Sequence, residues 1–163
     1  MSLNKYKPHI FVVPEDDANR EMALGFVLQA KVNRSVIQIL RPCGGWNKVM
    51  EDFLNNHIPE LQKYRERRLV LLMDFDDRDN RRNQVTAKIP NDLTERVFVL
   101  GVQSEPEHLK SKLGKTFEEI GELLAKQCSD NILTLWTDPL LKDNLPTVDQ
   151  MASLVNPFLF ASG

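Results

Sequence analysis

Few of the residues that announce a function are plentiful in this chain. Of 163 residues only two are cysteines, Cys43 and Cys128, too few for a disulfide framework or a cysteine-rich zinc site. Free, reduced thiols are the expectation for both. The histidines, His9, His57 and His108, have no partner at the i, i+4 spacing of a zinc helix, which argues against a histidine-based zinc enzyme. No apolar run approaches the roughly 20 residues of a membrane span. Residues 1–7 lack the apolar stretch of a signal peptide. The expectation is a soluble, cytoplasmic protein. An excess of one charge is missing too: 21 Lys+Arg face 23 Asp+Glu, a formal charge of −2. That excludes a generally basic nucleic-acid coat but leaves room for a local basic patch. There is no internal repeat, no linker, and no P-loop or Rossmann glycine pattern.

Enough apolar residues remain for a core: 42% of the chain is hydrophobic and 27% charged, and the length fits one domain over 1–163. Apolar runs at 9–14, 35–40, 68–73 and 96–102 predict strands. Helical spacing of Met22, Ala23, Phe26, Val27 and Ala30 predicts a helix over 17–31. Trp46, Val49, Met50, Phe53, Leu54, Ile58 and Leu61 predict a second, with Pro59 as a kink or break. Residues 77–94 are polar and read as irregular. Helices are expected at 105–113 and 117–128, with one or two more before residue 160. Strands alternating with helices indicate an α/β fold: about four mainly parallel strands flanked by helices, a Rossmann-like core over about 8–102, and a helical C-terminal part over about 103–163.

In such sheets ligands bind beyond the carboxyl ends of the strands. Here those ends are acidic. Glu15, Asp16 and Asp17 follow the first strand, and Asp74, Asp76 and Asp77 follow the third. If the two strands are neighbours, the clusters converge. Converging carboxylates repel unless a cation joins them, and a hard divalent ion suits oxygen ligands. The competing reading is helix capping, strongest for Asp16 and Asp17. A hydrophobic strand that runs into Asp74-Phe75-Asp76 puts charge beside the core, which favours the functional reading there.

An apolar strand ending in Glu15, then helix, strand, helix, and an apolar strand ending in Asp74-x-Asp76 resembles the Toprim domain. That domain occurs in primases, type IA and type II topoisomerases, and nucleases of the overcoming-lysogenization-defect type. The resemblance covers roughly residues 8–102. It implies Glu15 as catalytic acid/base and, with it, Asp74 and Asp76 as ligands of Mg²⁺ or Mn²⁺. Asp16 stands where the family usually has glycine, and Asp17 or Asn19 where a later acid often follows. Asp77 occupies a position where small residues are common.

Six arginines lie between Arg65 and Arg82. Arg78 and Arg81 directly follow the carboxylates, and Arg41 closes the neighbouring strand. Arginine forms two-pronged hydrogen bonds to phosphate, so these three are the candidate phosphate binders. Accessory acids are Asp77, Asp17, Glu105 and Glu107, the last two competing with ordinary capping around Pro106. Gly44-Gly45 reads as a tight turn and Trp46 as core. The sequence therefore points to Mg²⁺-dependent phosphodiester chemistry on nucleic acid, most simply a small nuclease, with a protein partner as a further expectation. Alternatives are a non-catalytic binding module on a degenerate Toprim scaffold, or a phosphatase of haloacid-dehalogenase type with Asp74 as nucleophile. The latter carries its motif on the first strand, not the third. A receiver-type signalling domain needs a lysine after a fifth parallel strand, and no convincing fifth strand is visible.

Overall fold

A computed structural model describes residues 3–78 and 80–160. Four strands, β1 (His9–Pro14), β2 (Ile37–Ile39), β3 (Arg67–Leu72) and β4 (Val97–Leu100), form one sheet in the order β2-β1-β3-β4. Every pairing is parallel. Both faces of the sheet are covered, which is why β3 and β4 read as continuous apolar runs rather than alternating ones. Val13, Leu69, Leu71, Val97 and Val99 point to one face. Ile10, Val12, Val70 and Phe98 point to the other.

The first face is capped by helices α2 (Trp46–Asp52) and α3 (Ile58–Lys63), joined by a π turn over Phe53–His57. From sequence, Pro59 threatens to split this helix. Instead, the Ile58 amide reaches back five residues to the Phe53 carbonyl, so the π turn just before Pro59 absorbs the disruption. Phe53 and Leu61, on either side of it, are fully buried.

The second face is covered by α1 (Asp17–Leu28) and α6 (Phe117–Asp130), with α7 (Leu145–Leu154) and α8 (Asn156–Leu159). Helices α1 and α6 cross at Gly25 and Gly121. A Cβ at Gly25 would strike the Glu118 backbone, and one at Gly121 the Met22 carbonyl. The C-terminal part is pinned to β4 by Asn144, itself buried. Its amide donates to the Gly101 carbonyl (2.8 Å) and accepts from the Gly101 amide (3.1 Å). Asn144 thus pairs with the edge of the sheet as a further strand would.

Several boundaries differ from those expected. Helix α1 stops at Leu28, because Gln29 is extended and Val32 bridges to Phe160. Residues 34–36 form a 3-10 turn, leaving a short β2. The polar stretch 77–94 contains helix α4 (Arg81–Thr86), held by buried Val85 and by Arg82. Arg82 donates to the Val99 carbonyl and to Asn144 (both 2.6 Å), so this arginine is structural. Helix α5 (Pro106–Leu113) follows β4 as expected. Among the described residues, no helix is long and apolar enough to cross a membrane.

Candidate functional site

The β1–β3 register runs from His9 opposite Arg67 to Pro14 opposite Leu72, so both strands deliver their following residues to one edge. The Glu15 amide extends the ladder to the Leu72 carbonyl (2.9 Å). Its side chain then takes the next rung: Glu15 Oε1 accepts from the Asp74 amide at 3.0 Å. On the other side, the Glu15 carbonyl accepts from the Gly44 and Gly45 amides at 2.9 and 3.2 Å. Gly44 (φ 90°) and Gly45 (φ 136°) lie in the region that only glycine enters readily. The glycine turn therefore helps to hold Glu15 in place.

Asp16 caps α1. Its Oδ1 accepts from the Asn19 amide and from Asn19 Nδ2, both at 2.9 Å. The same Nδ2 donates to Asp74 Oδ1 at 2.8 Å. Asn19, completely buried, thus ties the two aspartates together without bringing any charge. Carboxylate oxygens of Glu15, Asp16 and Asp74 all lie within 4.8 Å of one another. No other such acidic, histidine or cysteine group occurs among the described residues.

Three carboxylates this close cannot all be ionised without compensation. Burial, reinforced by Asp16 and Glu15, pushes the Asp74 carboxyl up to about 8, against the Asn19 hydrogen bond that pulls it down. Burial raises Glu15 as well, opposed by the Asp74 amide and Arg81 and helped by Asp16 and Asp76. The group thus favours taking up a proton, or a cation in its place. Three carboxylates on a rigid strand edge suit a hard divalent ion, so the donor set fits Mg²⁺ or Mn²⁺.

From sequence, Asp74 and Asp76 are expected to reach the same ion. In the structure they diverge, and Asp16 completes the group instead. The backbone turns left-handed at Asp76 (φ 48°) and Asp77 (φ 56°), pinned by hydrogen bonds to the Ser104 and Gln103 carbonyls. The Asp76 carboxylate swings outward onto Arg81 Nη1 at 2.8 Å. That Nη1 also donates to the Asp74 carbonyl (3.1 Å), while the guanidinium lies 4.3 Å over the Trp46 ring. Arg81 is thereby fixed beside the carboxylates, and exposed Arg78 stands next to it along a shared recess. Trp46 is only half-buried, its ring edge-on to Phe75.

The remaining candidates stay outside the group. Asp17, Asp77 and Glu107 are exposed, and Arg41 is exposed beyond the edge strand β2. Glu105 pairs with His108 at 3.3 Å. Cys43 and Cys128 are both free. Burial and Asp52 push the Cys43 thiol up to about 11, which favours the protonated thiol at neutral pH. Sequence reasoning missed the part played by Asp16 and Asn19. The available signal was the Asp-x-x-Asn pattern at a helix start, where the N-cap side chain meets residue N3. No family model, no curated protein and no solved structure matches the chain.

Proposed function

We propose that the protein is a divalent-cation-dependent hydrolase of nucleic-acid phosphodiesters. One observation carries the reading: a half-buried carboxylate trio at the sheet edge, with Arg81 directly beside it and Arg78 along the adjoining recess. Asp16, Asp74 and Glu15 would hold Mg²⁺ or Mn²⁺, which when bound supplies charge neutralisation and activates water. Glu15, raised by burial, is the group suited to accept a proton from the attacking water and return it to the leaving oxygen. Water adds to phosphorus, the phosphorus–oxygen ester bond breaks, and the products are a phosphate monoester and a free hydroxyl. Arg81 faces the charge that builds on the phosphoryl oxygens. The resemblance to Toprim domains points the same way.

A second reading is a non-catalytic binding module. It is favoured by the structural bonds these acids already make: Glu15 caps the Asp74 amide and Asp16 caps α1. One pair of measurements separates them. The first is cleavage of end-labelled single- and double-stranded DNA and RNA with Mg²⁺, with Mn²⁺ and with EDTA. The second is thermal unfolding with and without Mg²⁺. The native chain should cut only with metal and gain about 2.7 kcal/mol at a hundredfold excess over Kd. Asp74→Asn, which keeps shape and hydrogen bonds, should lose cutting by roughly a hundredfold or more and lose the stabilisation. Absence of both effects in the native chain would leave the binding module.

A further inference from the structure

Next to the carboxylates, the glycine turn, the start of α2 and helix α4 enclose a recess of about 480 Å³. Its walls are Gly44, Gly45, Lys48, Arg78, Arg81 and Gln84, with Trp46 and Asn47 between them. Three of these residues are cations, and none of the wall residues is an acid. Lys48 and Arg78 are exposed, and neither has an ion-pair partner among the described residues. Arg81 is already neutralised by Asp76, but Lys48 and Arg78 share the concavity without counter-charge of their own, and an anion relieves their repulsion. Gly44 and Gly45 add no side chains to obstruct one. The volume falls among small-ligand pockets, roughly 300–1,000 Å³, and exceeds what bare phosphate fills.

The rest of the wall suits the remainder of a nucleotide. Arg81 is held over Trp46, its guanidinium carbon 4.3 Å from the ring centroid, by its bonds to Asp74 and Asp76. Guanidinium planes and aromatic rings are the surfaces on which unpaired bases stack, whatever their sequence. Asn47 and Gln84 offer amides to a base or sugar edge. We infer that this recess is a metal-independent phosphate-ester subsite that seats one nucleotide unit of a single strand, its phosphate on Lys48 and Arg78. The choice of a nucleic-acid strand rests on the proposed function; the affinity for a phosphate ester does not.

The test is calorimetric titration of the native chain in EDTA, with a ten-residue oligothymidylate and with thymidine 5′-monophosphate. Both should bind, the oligonucleotide more tightly, and the mononucleotide should compete with it. Lys48→Ala combined with Arg78→Ala, both at exposed positions, should weaken the oligonucleotide at least tenfold. It should also flatten the salt dependence by about 0.7 in log–log slope, the value for one lost phosphate contact on a single strand. Lys88→Ala with Lys115→Ala removes the same charge from exposed positions outside the recess and should change affinity less than twofold. No binding, or equal weakening by both pairs, overturns the subsite. A mononucleotide that binds as tightly as the oligonucleotide overturns the strand as its source. Binding without metal-dependent cutting refutes the proposed function and leaves the subsite standing. Cutting with undiminished binding by the recess pair does the reverse.

Discussion

Lowering the pH should remove the stabilising contribution of one buried histidine at the edge of the sheet opposite the carboxylates. His9 and Arg67 are register partners at the start of β1 and β3, the two strands that bring Glu15 and Asp74 together. Both are buried. Arg67 Nε donates to His9 Nε2 at 3.0 Å, so that nitrogen must be unprotonated. His9 Nδ1 donates to the Lys7 carbonyl at 2.8 Å, which fixes the neutral tautomer. The guanidinium lies 4.0 Å over the Phe11 ring and 4.8 Å over that of Tyr64, with Glu60 3.5 Å away. Protonating His9 would set two donors and two like charges face to face in a buried position. Burial, then Arg67 and Arg68, hold its pKa below 6.5, against the Lys7 carbonyl and Glu66.

A histidine with a depressed native pKa contributes stability that is present above pH 6.5 and lost as the pH falls below it. The limiting slope is about 1.4 kcal/mol per pH unit. Between pH 7.5 and 5.5 the loss is at most about 1.4 kcal/mol, because only the lower half of that interval lies below the unfolded pKa. For a chain of this size that is at most about 3–5 °C in Tm. Asp74 works in the opposite sense. Its pKa is raised from 3.8 to about 8, so its contribution is full below 3.8 and is lost as the pH rises through 8. The native chain alone therefore reports a sum. His9→Gln keeps an acceptor for Arg67 but cannot titrate, and it shares the Asp74 contribution. Guanidinium unfolding of both proteins at pH 7.5 and 5.5, followed by tryptophan fluorescence, isolates the histidine as the difference. If both lose or gain the same stability, His9 is not the neutral acceptor described here.

Two further outcomes probe the packing that presents the site. Gly121→Ala should cost about 1–3 kcal/mol in chemical denaturation, since its Cβ meets a helix carbonyl that cannot yield without parting α1 from α6. An unchanged midpoint would mean that the two helices are not in contact there. Asn144→Ala strands both polar groups of Gly101 and one arm of Arg82, and should cost at least about 3 kcal/mol, from about 1–3 for each buried group left unpaired. Amide hydrogen exchange at Gly101 should accelerate with it, and unaltered protection there would refute the docking role.

How much of this was legible in the sequence follows from the range of the forces involved. Strands β1, β3 and β4 announce themselves because burial on both faces demands apolar residues at successive positions. The short β2, at an exposed edge, announces itself less well. Helix α4 was invisible for a related reason. Six residues bury little beyond Val85, and its anchor, Arg82, bonds to Val99 and Asn144 far along the chain. The site divides along the same line. That Glu15 and Asp74 end apolar strands is local information; that they meet depends on β1 lying beside β3, which no short pattern encodes. Asp76 is the sharpest case. Spacing alone aligns it with Asp74, yet its direction is set by a left-handed turn whose hydrogen bonds come from Ser104 and Gln103, on the segment after β4. Asp16, by contrast, reads as a mere helix cap, and it is one. What makes it part of the site is Asn19, whose single amide nitrogen reaches both the cap and a carboxylate 55 residues away. A residue can satisfy a local rule and still be drawn into chemistry by a partner that the local rule never mentions. Capping positions at the carboxyl edge of a parallel sheet are therefore where local patterns are least able to separate structural from functional acids.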